Sequence, residues 1–310
     1  MALTSYVGRN DVTMQQTLAA AADLGLRHKL RSSDIVFSLK LAILTIGSVV
    51  GGYLASRHNT AFIVLGILLL GLWQAHAVEL QHQVLHGLGY RNARLNHMVG
   101  VVLGLPMLVS YSGYRASHLR HHRLLGTPEN KEFFDYGDQY GGKPLTIYQV
   151  ALRLLMLQHY VNFASSLLTA LRNKPFEGES RTTSDRMRNE YLLMLAAICA
   201  LILVGVFLHE WRPFLIWAAS FVLVATPVHA LIEMPEHYLC DMTTTDVFAN
   251  TRSIKSNLFL TWFTNGNNYH VEHHLAPGLP MEALPDLFEQ NEGKHLYVET
   301  TYREFFHACG

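Results

Sequence analysis

Residues 191–208 form a run of 18 without one charged side chain. Three further stretches, 35–56, 61–80 and 213–232, carry only Lys40 and Glu79 between them. At 1.5 Å rise per residue, helices of this length reach roughly 25–33 Å, the thickness of a bilayer's hydrocarbon core. Four such runs in one soluble domain would be rare, so the four stretches read as membrane spans, with Lys40 near one end, where its stem can snorkel. Composition agrees: half of the 310 residues are hydrophobic and only 15% are charged, well under the usual quarter.

The connections set the topology. About four residues join the first two spans and about four join the last two, so the spans pair into two helical hairpins. Of the 24 basic residues, thirteen lie in 80–189, and the positive-inside rule then places both termini and the middle segment in the cytoplasm. The expected fold is therefore all-α, a single domain over 1–310. Its four transmembrane helices stand beneath a cytoplasmic helical cap made from 81–190 and 233–310. Residues 98–111 are apolar but too short to span, and read as a re-entrant or interfacial hairpin. Residues 145–171 read as one amphipathic helix on the membrane surface, and 174–188 as a polar connection. Residues 1–34 are polar and mixed, without a cleavable signal pattern. Basic and acidic residues balance at 24 each, which argues against a nucleic-acid partner. Three cysteines without a C-x-x-C pair exclude a disulfide scaffold, a zinc ribbon and an iron–sulfur cluster.

Eighteen histidines are about three times what a chain of this size carries, and they cluster. His82 and His86 form H-x-x-x-H. His118, His121 and His122 form H-x-x-H-H, and His270, His273 and His274 form it again. A given H-x-x-H-H arises by chance about 0.06 times in such a chain, so two are roughly a two-in-a-thousand event. On a helix, positions i and i+3 or i+4 share a face, so each cluster can aim imidazoles at one point. Eight converging histidines exceed one tetrahedral zinc and match two metals with about four ligands each. All three clusters fall on the same side of the expected membrane. His237, five residues past the fourth span, is a ninth candidate, and Glu233 one turn before it is a carboxylate or water-mediated one. Glu79, one turn before His82, can orient a ligand imidazole, and Asn267 and Asn268 sit beside the third cluster to do the same. His76 and His229 lie inside expected spans without a partner at metal spacing. Glu272 points away from the histidine face of its segment if that segment is helical.

With their flanks, these clusters resemble the membrane fatty acid desaturase superfamily. Residues 82–87 read H-Q-V-L-H-G, residues 118–130 read H-L-R-H-H-R-L-L-G-T-P-E-N, and residues 268–280 read N-Y-H-V-E-H-H-L-A-P-G-L-P. The resemblance covers about 35–290. It implies two non-haem iron ions held by the boxes, with one more histidine some thirty residues before the third box; His237 fits, 33 residues before His270. It also implies a tunnel for an acyl chain. Acyl desaturases of that family can carry an asparagine four residues before this histidine, where this chain has Glu233.

The expected function is O2-dependent oxidation of an unactivated C–H bond in a fatty acid, acyl thioester or lipid, foremost acyl desaturation. Hydroxylation, decarboxylation to a terminal alkene and carotenoid oxidation are alternatives on the same site. A metal transporter would need its ligands near the membrane midplane, where almost none of these lie. H-E-x-x-H, the string of a membrane zinc protease, is absent. No flavin, haem or dinucleotide fingerprint reads in the chain, so electrons are expected from a separate ferredoxin, rubredoxin or cytochrome b5-type donor. Arg115, Arg120 and Arg123 are candidates to dock it. The expected location is the bacterial inner membrane.

Overall fold

The computed structural model describes residues 34–134 and 146–309; the expectations for 1–33 and 135–145 lie outside them. The chain is mostly helical, and four helices are long and apolar enough to cross a membrane. These are α1 (Asp34–Ala55), α2 (Thr60–Leu85), α7 (Arg181–Leu208) and α8 (Arg212–Glu233). Between the two pairs lie α3 (Ala93–Gly104), α4 (Tyr111–Leu124), α5 (Ile147–Leu154) and α6 (Leu157–Leu171). After α8 come α9 (Val247–Asn250), β1 (Ser253–Ile254), α10 (Leu258–Phe263), α11 (His270–Leu275), α12 (Leu284–Gln290), β2 (Val298–Glu299) and α13 (Tyr302–Cys309).

Local sequence explains the hairpins. The Asn59 side chain caps α2, its Oδ1 accepting from the N–H groups of Ala61 and Phe62. Gly66 then lets α1 and α2 touch, since a Cβ there would lie 2.2 Å from the backbone nitrogen of Ala55. The outer faces stay apolar: Ile35, Leu39, Ile46 and Val49 of α1 and Phe207 and Leu208 of α7 are all exposed. Such faces suit lipid rather than water. In α8, residues Phe221–Ala225 form a π-helical segment, where Thr226 returns its hydroxyl proton to the Phe221 carbonyl at 2.6 Å.

Several elements differ from the sequence expectation. Lys40 does not snorkel outward; its Nζ donates to Asn265 Oδ1 (2.6 Å) and Gln83 Oε1 (3.1 Å) and pairs with Glu282 (2.5 Å), tying α1 to α2 and to the C-terminal segment. The stretch 174–188 is not all connection. Ser180 accepts from the Thr183 N–H and starts α7 at Arg181, ten residues before the apolar run. The amphipathic helix expected over 145–171 is two helices, α5 and α6, broken at Met156, whose φ of 46° is left-handed. Residues 98–111 run from the second half of α3 through a 3-10 turn at Leu105–Met107 to the first residue of α4, across a 99° bend, as a re-entrant or broken span would. The fold also holds a two-residue parallel pair, β1 with β2.

The site is set by what gathers at the His82 end of α2. Asn265 donates there to the Glu79 carbonyl (3.2 Å), bringing in the C-terminal segment. The α4 N-terminus is held by Glu190 of α7, whose buried carboxylate accepts from Ser110 Oγ (2.6 Å), Ser112 N (2.9 Å) and Ser112 Oγ (2.5 Å). The loop after α4 fits tightly against residue 244: Gly126 has φ +79°, and a Cβ there would meet the Thr244 carbonyl oxygen.

Candidate metal centre

The nine expected histidines all converge, and they sort into two adjoining groups. In the first, ligand atoms of His82, His86, His118 and His273 lie within 4.8 Å of one another. His122 joins it, with Nε2 2.9 Å from that of His118 and 3.0 Å from that of His273. The second holds His121, His237, His270 and His274. Helix geometry explains the sorting. In α4 the i,i+4 pair His118 and His122 shares a face and serves the first group, while His121 turns to the second. In α11 the pair His270 and His274 serves the second, while His273 crosses to the first. The first box supplies another i,i+4 pair, His82 from the last turn of α2 and His86 from its C-cap.

The donor chemistry fits metal ions. His121 Nδ1 donates to Asn130 Oδ1, His237 Nδ1 to the Asn250 carbonyl, and His270 Nδ1 to Asn267 Oδ1, each at 3.0 Å. Those oxygens only accept, so each ring carries its proton on Nδ1 and turns the Nε2 lone pair inward. Yet Nε2 of His121 stands 3.2 Å from that of His237 and 3.3 Å from that of His274, and Nε2 of His270 stands 3.2 Å from that of His274. In the first group the His82–His118 separation is 2.8 Å. Lone pairs facing at such distances repel unless a cation lies among them. Nitrogens about 2.1 Å from one ion stand about 3.0–3.4 Å apart, which is the range seen in the second group, the first being slightly tighter. Burial favours the neutral, ligating form: it pushes His237 down to about 4 and holds His270, His273 and His274 well below the ordinary imidazole value.

The remaining expected residues fall into several places. Asn267 touches the centre, accepting from His270 and donating to Glu236 Oε1 at 2.7 Å. Asn268 is turned away, bonded to the Ile254 carbonyl and to Thr264. Glu79 does not meet His82, whose Nδ1 has no hydrogen-bond partner among the described residues. It faces His229, its Oε1 3.3 Å from Nδ1 of that ring. Glu233 joins neither group; its Oε1 lies 3.4 Å from His229 Nε2. His229 thus sits buried between two carboxylates, and His76 donates to the Phe263 carbonyl at 2.6 Å. Arg120 is bound to Glu179.

Sequence reasoning missed three contributors. Glu132 and Glu236 reach the edge of the second group, with oxygens within 4.8 Å of each other and of a His237 nitrogen. Glu236 adjoins His237 in the chain, so its neighbour was a usable signal; Glu132 has no telling spacing from any box. Glu272 does point away from the histidine face of its helix, as expected, but is fully buried, accepting from Ser253 (2.7 Å) and paired with His295 (2.6 Å), which pins the third box to the C-terminal segment.

Two cavities meet at Glu132 and Phe133. One, of about 10 Å³, is lined by His82, His118, Glu132, Glu233, Glu236 and Asn267 among others, and has room for one water at most. The other, of about 290 Å³, shares Glu132 and Phe133 with it. It runs between α4, α6 and α7, past Ser117, Asn162, Ser166, Phe163 and Tyr191.

Fold and site define a helical protein with helices of membrane-spanning length and two abutting groups of imidazoles able to hold metal ions. The chain belongs to the fatty acid desaturase family, whose model matches residues 59–306. It is 27% identical over 238 residues to dihydrorhizobitoxine desaturase of Bradyrhizobium elkanii, covering 71% of this chain and 65% of that protein. It is 24% identical to an acyl-lipid (9-3)-desaturase of Physcomitrium patens, covering 87% and 54%, and 24% identical to a fatty acid desaturase of Bacillus subtilis (strain 168), covering 68% and 63%. The chain thus spans between about half and two thirds of the length of these curated relatives.

Proposed function

We propose that this protein is a membrane-bound oxidoreductase that desaturates an acyl chain, using O2 and two electrons from a separate ferredoxin, rubredoxin or cytochrome b5-type donor. The observation that carries the reading is the convergence of nine histidines, seven of them buried and at least three with Nε2 lone pairs fixed inward by hydrogen bonds on Nδ1. Five would hold one iron (His82, His86, His118, His122, His273) and four the other (His121, His237, His270, His274). Iron at these positions supplies O2 reduction and C–H cleavage. The protein would supply placement and exclusion of water: the small cavity beside the centre admits no more than one water, and Glu233 in its wall would hold that water against the metals.

The four apolar helices would form two hairpins in the bilayer, with termini and histidine segments in the cytoplasm of a bacterial cell. Feeding labelled fatty acids to expressing cells, followed by mass spectrometry, tests the reaction. A product two hydrogens lighter is expected; a hydroxylated acid or a one-carbon-shorter alkene overturns desaturation. Purified protein is expected to carry two irons per chain, and one zinc without iron would refute the metal reading.

One observation favours a second substrate class. Ser117, Asn162 and Ser166 give the larger cavity a partly polar wall, unlike a plain hydrocarbon slot. A smaller, polar substrate fits that wall, and the relative named dihydrorhizobitoxine desaturase is not named for a fatty acid. Conversion of a small polar substrate in the same cells, with fatty acids untouched, would select this reading.

A further inference from the structure

His121 is gripped at both ends of its ring by one loop. Asn130 accepts from its Nδ1 at 3.0 Å, and Glu132, two residues on, brings Oε1 to 3.0 Å from its Nε2. The same arrangement recurs on His270. Asn267 accepts from Nδ1 at 3.0 Å, and Glu236 brings Oε2 to 3.2 Å from Nε2, while the other oxygen of Glu236 is fixed by Asn267. With the proton on Nδ1, each Nε2 offers a lone pair, and each faces a carboxylate oxygen, which is another acceptor. A cation shared by imidazole and carboxylate resolves both contacts together. The separations, 3.0 and 3.2 Å, are close to the 3.2–3.3 Å between the imidazole nitrogens of the same group.

We propose that Glu132 and Glu236 are direct ligands of the second metal. That position then takes four nitrogens and two carboxylate oxygens, while the first takes imidazoles alone. The two sites thereby differ in charge and hardness. Two anionic oxygens favour a trivalent ion at the second, and five neutral nitrogens favour a divalent ion at the first. The inference rests on the two-iron reading above.

The test is Mössbauer spectroscopy of the full-length protein loaded anaerobically with ⁵⁷Fe²⁺ in detergent, together with iron retention against a chelator. The parent is expected to show two ferrous doublets of equal area and different splitting. In Glu236→Gln and Glu132→Gln one doublet moves and the other stays, and one of the two irons is lost to the chelator at least tenfold faster. Two equivalent sites in the parent, or variants with both doublets and both retention times unchanged, overturn the proposal while leaving the two-iron reading intact. A parent that binds no iron defeats that reading instead. Should the glutamine variants fail to fold, Glu132→Asp keeps the charge, shortens the reach, and is expected to move the same doublet.

Discussion

His121 and Asn130 are nine residues apart, and the Nδ1–H of one donates to Oδ1 of the other across 3.0 Å. That bond fixes both the tautomer and the tilt of a ring whose other nitrogen faces the second histidine group. Asn130→Ala is expected to leave the helices folded and weaken metal binding at the second group about 10–100-fold. Asn130→Asp, which keeps an acceptor, stays near the parent. Iron content after timed exposure to a chelator reads the difference.

Glu190 is expected to matter far more than its position on a helix of spanning length suggests. Its carboxylate accepts from both serine hydroxyls and one N–H at the start of α4. A negative group at a helix N-terminus also complements the helix dipole. Glu190→Ala leaves those buried donors without their acceptor and costs about 3–5 kcal/mol. Thermal unfolding in detergent measures it, and a fall within experimental error would refute this account.

Arg252 holds the turn that carries Glu236 and His237. It donates to the carbonyls of Pro235 (2.7 Å) and Tyr238 (2.6 Å), pairs with Glu299, and lies over the Phe305 ring. Lysine offers a point charge in place of a planar fork, so Arg252→Lys is expected to lose about 1–3 kcal/mol and Arg252→Ala about 3–5 kcal/mol. In both, iron leaves the second group faster than the first, as sequential release to a chelator would show.

His159 supplies a pH dependence apart from the metal positions. Its Nε2–H donates to the Met107 carbonyl at 2.8 Å, and burial pushes its pKa down to about 4. The unfolded chain binds a proton at this ring below about 6.5, the folded chain only below about 4. Stability from this residue is therefore complete above 6.5 and is lost as pH falls through that window, by about 3 kcal/mol at 1.4 kcal/mol per unit. His159→Gln keeps a donor for the carbonyl without the titration. Melting temperature plotted against pH should be flatter for the variant than for the parent between 6.5 and 4.

How much of this was legible in the sequence follows from range. The box histidines were readable because i,i+3 and i,i+4 spacing is a local property of one helix. Their division into two groups was not, because that depends on where α4 and α11 meet; His121 and His273 each leave their own box for the other group. The four apolar runs were readable from composition, but the true start of α7 was not, since Ser180 caps a turn of charged residues that hydropathy alone reads as connection. Lys40 looked like an interfacial anchor until Asn265, 225 positions away, turned out to accept from it. Glu132 and Glu236 belong to the same class: single acidic residues whose partners are set by tertiary packing. Glu79, expected to steady His82, found His229 on a neighbouring helix.

The wide separation of His82 from His274 also has a consequence for synthesis. About 190 residues lie between them, and at 5–20 residues per second a ribosome needs roughly 10–40 s to cover that distance. Early in that interval the first hairpin is complete and His118 and His122 join His82 and His86, while the second group waits for His237, His270 and His274. If the chain binds metal as proposed, its second group is completed last: before residue 270 four of the five imidazoles of the first group already exist, but only His121 and His237 of the second.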